Sequence, residues 1–145
     1  MQGPGHIHAV YSPVNCLAVG GHFYTAATMH ISIDYVRFQL TNQVHDNENI
    51  TDEDFANLTL VMEHVDVPHL FTLAQKLRLA GSISLLLREL KAEVGKARKV
   101  KRKSSKHRFL MAAEKWYRSF YISEHGEEPR DELWDAEHRN GLEHE

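Results

Sequence analysis

The chain contains a single cysteine, Cys16, so it forms no internal disulfide. A lone thiol within the apolar run Cys16-Leu17-Ala18-Val19 reads as a buried structural group, and it fits a reducing compartment. No stretch approaches the ~20 apolar residues that a helical membrane span requires. The first residues lack the basic region followed by an apolar core that marks a targeting peptide. There is no CxxC pair, no glycine-rich phosphate loop and no nucleophile elbow, which leaves out thiol-redox, P-loop and serine-hydrolase chemistries. Internal repeats and low-complexity tracts are also missing, so solenoid architectures do not apply. The net charge of −3 does not describe a general polyanion binder. An apolar fraction of 42% against a charged fraction of 26% describes a globular chain with enough apolar surface for a core.

What is present begins at the N-terminus. His6, His8 and Val10 alternate with Ile7, Ala9 and Tyr11, which predicts a strand with both imidazoles on one face. Neutral imidazole is a common ligand of iron, zinc and copper, so the pair is a candidate metal edge; a pair of surface histidines is the plainer alternative. Pro13 permits a turn. Cys16–Val19 reads as a short buried strand, and Gly20-Gly21 permits a close backbone approach. Thr28–Ile33 alternates again, with Met29, Ile31 and Ile33 against His30 and Ser32, and reads as a third strand.

From Asp34 the period lengthens. Tyr35–Val44 reads as a first helix. Thr51 and Asp54 form a capping-box pattern ahead of Phe55, Leu58, Met62 and Val65 at helical spacing. Pro68 suits the first turn of a following helix with the stripe Leu70, Leu73, Leu77 and Ala80. Gly81 is expected to stop that helix and Ser82 to cap the next, striped by Ile83, Leu86, Leu87, Leu90 and Val94. A further helix is expected from about Ser105, carrying Phe109, Ala112, Ala113, Trp116 and Phe120 on one side.

Charge is unevenly placed. Lys96, Arg98, Lys99, Lys101, Arg102, Lys103, Lys106 and Arg108 fall in 96–108 without an acid between them. Lys99-Val100-Lys101-Arg102-Lys103 has the composition of a nuclear localisation signal. Lys96, Arg98, Lys99, Lys101, Arg102 and Lys103 are candidate phosphate contacts. A solvated helix face is the plain reading of the same residues. Trp116, Tyr117, Phe120 and Tyr121 could stack bases, although their helical spacing favours a core. The segment 123–145 is acidic.

The run Gly5-His6-Ile7-His8-Ala9-Val10-Tyr11-Ser12-Pro13-Val14-Asn15-Cys16-Leu17-Ala18-Val19-Gly20-Gly21-His22-Phe23 resembles the end of a JmjC domain. In particular it resembles histone-lysine demethylases whose domain closes with Gly-x-Ile-His-Ala-Val, Thr-Pro-Val and Gly-Gly-Asn-Phe sequences. The resemblance implies an Fe(II)- and 2-oxoglutarate-dependent dioxygenase. Its iron is held by an HxD pair and a later histidine, and His8 matches that later ligand. His6 stands where relatives often carry tryptophan, and His22 where they often carry asparagine, so neither inherits a role.

The fold class expected on this basis is α+β. Residues 1–34 would be the terminal strands of a jelly roll (the cupin or JmjC double-stranded β-helix). Residues 35–122 would be a predominantly helical segment, and 123–145 an acidic tail. The only HxD, His64-Val65-Asp66, follows His8 and falls at a predicted helix end, so it reads as coincidence. A chain with one of three ligands is expected to be an inactive fragment that does not hold Fe(II) and 2-oxoglutarate stably alone. The family further implies histone or chromatin partners and a nuclear location. The alternative is a non-catalytic helical module that binds protein or nucleic acid, with a vestigial β segment.

Overall fold

The computed structural model describes residues 24–42 and 50–129, together with Val14. Helices account for 74% of these residues, and none of them lies in a strand. The α+β expectation, with its jelly-roll strands, is therefore corrected to an all-helical architecture over the described residues. The strands expected within 6–23 lie outside them.

The correction is sharpest at Thr28–Ile33. Helix α1 spans Met29–Asn42, and it opens where a third strand was expected. Met29, Ile33 and Val36 are buried at spacings of four and three, the rhythm of a helix face. Ile31, which alternation would put beside Met29 and Ile33, is 38% exposed. Local hydrogen bonding favours the same choice. The Thr28 carbonyl accepts from the Ile31 and Ser32 N–H groups at 3.0 and 3.1 Å, and the Thr25 hydroxyl accepts from the Thr28 N–H at 3.3 Å. Gln39 is buried on α1, and its amide donates to the Tyr35 hydroxyl at 2.7 Å.

Helix α2, Asp52–His64, starts at the expected capping box. The Thr51 hydroxyl accepts from the Asp54 N–H at 3.2 Å, and Asp54 accepts the Thr51 N–H at 2.8 Å. Two donors that the helix start would leave unpaired are thus satisfied. Phe55, Leu58, Met62 and Val65 are all buried, as their spacing predicts.

The next expectation is corrected. Pro68 lies in the connection after α2, and helix α3 runs from Leu73 to Glu89 behind a second capping box of Thr72 and Gln75. Leu70, Leu73 and Leu77 are each about half exposed. Ala80 is buried as expected, as are Ile83, Leu86, Leu87, Leu90 and Val94 of the following stripe, and Leu79 joins them on the buried face. Gly81 does not stop the helix, and Ser82 sits in its interior. A glycine within a helix costs about 1 kcal/mol. Burial of Ile83, Leu86 and Leu87, each at 0% exposure, contributes about 1.5–3 kcal/mol apiece and outweighs it.

Leu90 joins α3 to the short helix α4, Lys91–Lys99. Helix α5, Ser105–His125, is the longest, at 21 residues. The Ser104 hydroxyl caps it by accepting from the His107 N–H at 3.2 Å. It ends at Gly126, whose φ of 73° lies in the left-handed region that glycine enters without steric cost.

Helix α2 packs mainly on α5 and α1 mainly on α3, while α3 and α4 also rest on α5. Phe109, Leu110 and Ala113 of α5 are fully buried, and one continuous apolar cluster links them to α1, α2, α3 and α4.

Candidate functional site

The predicted metal ligand His8 and its neighbours His6 and His22 lie outside the described residues. The later HxD can be placed. His64 closes α2, and its Nδ1 donates to the Leu60 carbonyl at 2.7 Å. Val65 is buried between the two polar residues, and Asp66 accepts from Lys76 Nζ at 2.6 Å. Among the described residues no three histidine, cysteine or acidic side chains gather in a way that could hold a metal. His64 and Asp66 do not belong to such a group.

An open apolar groove of about 260 Å³ is lined by Tyr24, Met29, Leu60, Val61, Leu70 and Phe71, among others. Burial raises the pKa of the Tyr24 phenol, and the charge of Asp54 adds to the effect. A phenol is already protonated at neutral pH, so the Tyr24 hydroxyl stands at the groove as a hydrogen-bonding group.

The charge-bearing feature is the corner between α4 and α5. The last turn of α4 holds Lys96, Arg98 and Lys99, where cations complement the negative end of the helix dipole. Val94 and Ala97 are buried, which anchors α4 against the body. At Val100 the backbone becomes extended (φ −76°, ψ 135°), and the chain passes through Lys101–Lys103 to the Ser104 cap.

The corner divides its cations into two sets. Glu93 accepts from Lys96 Nζ at 2.8 Å and pairs with Lys106 Nζ at 2.9 Å. Arg98 reaches across to α5 and grips Glu114 through Nε and Nη2. The Glu114 carboxylate is only 7% exposed, and Arg118 Nε stands 3.5 Å from the same oxygen. Lys103 Nζ turns back to the Val100 carbonyl at 3.4 Å. Lys99, Lys101, Arg102 and Arg108 are exposed and have no ion-pair partner among the described residues.

Several sequence readings change here. Lys96 and Arg98, expected as phosphate contacts, are committed to carboxylates. Arg108 joins the exposed set. Trp116 and Phe120 are buried, the core reading that their helical spacing favours, with their rings stacked 5.3 Å apart; Tyr117 is buried with them and Tyr121 is partly buried against the same core. The Glu93–Lys96 pair could have been read from its i,i+3 spacing. Arg98–Glu114 spans two helices and leaves no local signal.

Glu93 yields a direct prediction. The hydrogen bonds from Lys96 and then Lys106 lower its pKa from 4.5 to about 2, against a smaller opposing effect of burial. A depressed folded-state pKa stabilises the fold above the unfolded value and loses that contribution as pH falls. The Glu93→Gln variant is therefore expected to be less stable than wild type at neutral pH. The gap should close between about pH 4.5 and pH 2. Urea denaturation of both proteins across that range is the measurement. A gap constant with pH would show that Glu93 contributes by packing.

Comparison with known protein families, with curated proteins and with solved structures finds no match for the chain.

Proposed function

We propose that this chain is part of a JmjC-type Fe(II)- and 2-oxoglutarate-dependent dioxygenase of the histone demethylase kind, and that it is not catalytic by itself. The observation that supports this reading is the run Gly5–Phe23, with His8 at the position of the family's last iron ligand. When bound, the iron would supply oxidation of an N-methyl group by dioxygen. The two remaining ligands are not assigned to His64 and Asp66, which follow His8 in the chain and stand at the end of a helix, where the family's HxD lies on a strand before the last histidine. They must come from an HxD segment outside this sequence.

In this reading the helices from Met29 to His125 form the body that follows the ligand segment. Demethylases of this kind also carry a helical segment after their catalytic fold, which agrees with the helical content here. Histone substrates and a nuclear location follow from the same proposal.

The test is complementation. The chain is co-expressed with a JmjC fragment that carries the HxD strand, and succinate formation from 2-oxoglutarate is followed. Turnover is expected with the wild-type chain and a loss of two orders of magnitude or more, about 3 kcal/mol, with His8→Ala. A folded complex without turnover, or turnover that is indifferent to His8→Ala, overturns the proposal.

A further inference from the structure

We infer that the α4–α5 corner is a contact surface for the phosphate backbone of duplex nucleic acid, made by Lys99, Lys101, Arg102 and Arg108. The inference stands apart from the dioxygenase proposal, because it uses only the corner's geometry.

The eight cations of 96–108 are not equivalent. Lys96 and Lys106 are offset by Glu93, and Arg98 by Glu114. A cation already paired to a carboxylate must give up that partner to neutralise a phosphate, so it displaces few of the counterions condensed on the polyanion and adds little to binding. Lys99, Lys101, Arg102 and Arg108 are exposed and have no such partner among the described residues. They occupy a short stretch, from the end of α4 through the extended connector to the first turn of α5. That first turn carries no acid, so the positive end of a 21-residue helix adds to the local potential. The whole chain carries −3, so attraction for a polyanion must come from a local field such as that of the corner and not from net charge.

The kind of partner follows from what surrounds the cations. Protein interfaces concentrate their energy in aromatic and aliphatic anchors at a desolvated centre. The corner offers only Val100, which is half-buried. Single-stranded nucleic acid is bound through exposed aromatic rings. Phe109, the nearest aromatic in sequence, is buried in the core with Trp116, Tyr117 and Phe120, and Tyr121 is partly buried against it. Exposed cations without anchors or stacking groups suit the regularly spaced phosphates of a duplex, and they carry no sequence preference.

The experiment is the salt dependence of duplex DNA binding by the full chain, measured by fluorescence anisotropy. Four phosphate contacts give a slope of log K on log salt of about −3.6, or roughly a 150-fold loss of affinity between 50 and 200 mM salt. Lys99→Gln/Lys101→Gln/Arg102→Gln is expected to reduce the slope to about −0.9. The single variants Lys96→Gln and Lys106→Gln are expected to keep the wild-type slope. Circular-dichroism melts confirm that the exposed substitutions leave the fold intact. The inference is overturned by a triple variant that binds like wild type, by an equal loss of slope in Lys96→Gln, or by the absence of binding at 50 mM salt. Tighter binding to polyglutamate or to single-stranded DNA than to the duplex also overturns it.

Discussion

Replacing Phe109 by alanine is expected to destabilise the fold by about 3–5 kcal/mol, the largest effect of any single truncation considered. Phe109 is fully buried near the start of α5, and its ring lies 5.9 Å from that of Phe55 on α2. The pair joins the longest helix to its principal neighbour. Alanine there loses the transfer energy of the ring and leaves a cavity that flanking helices fill only partly. Phe109→Leu keeps most of the volume and is expected to cost well under half as much. Equilibrium urea denaturation of the three proteins checks the ordering. A Phe109→Ala loss below about 1 kcal/mol would mean that the α2–α5 contact is held elsewhere.

The same contact shows why parts of the fold were legible. Phe55, Leu58 and Met62 on α2, and Phe109, Ala113, Trp116 and Phe120 on α5, repeat at three and four residues over several turns. A period sustained that long admits one reading, and these residues are buried. Alternation over Thr28–Ile33 misleads because the window is too short. Met29, Ile31 and Ile33 satisfy a period of two, but Met29, Ile33 and Val36 satisfy 3.6, and only the longer window separates them.

Leu70, Leu73 and Leu77 show another failure. They repeat like a core stripe yet stay half exposed, because α3 turns Leu79, Ile83, Leu86 and Leu87 inward. Thr72 and Gln75 marked the true start of that helix in the sequence, with the same signature that located α2. The site was less legible than the fold. Composition located the basic run at 96–108. Which cations are paired to a carboxylate depends on Glu93 nearby and on Glu114 on another helix, and the second is a tertiary fact.

That tertiary fact carries the second large expectation. Arg98→Ala is expected to cost about 2 kcal/mol, because it removes the main partner of a carboxylate that is only 7% exposed. The figure lies below the 3–5 kcal/mol typical of a fully buried pair for two reasons. Arg98 itself is 43% exposed, and Arg118 remains 3.5 Å from Glu114. Lys96→Ala removes a partner of the more accessible Glu93, from a side chain 66% exposed, and is expected to cost under about 1 kcal/mol. A double-mutant cycle separates charge from packing. Glu114→Leu in the Arg98→Ala background should recover part of the loss, since it removes the stranded carboxylate and retains apolar volume. No recovery would mean that the arginine stem packs α4 onto α5 and that the ion pair contributes little. The variant also bears on the corner's function. Arg98 is spent inside the fold, so Arg98→Ala is expected to lower stability while leaving the salt slope of duplex binding unchanged below its melting range. Lys99→Gln/Lys101→Gln/Arg102→Gln is expected to do the reverse. Opposite responses from adjacent residues of one basic run would separate the cations that hold α4 to α5 from those that face the solvent.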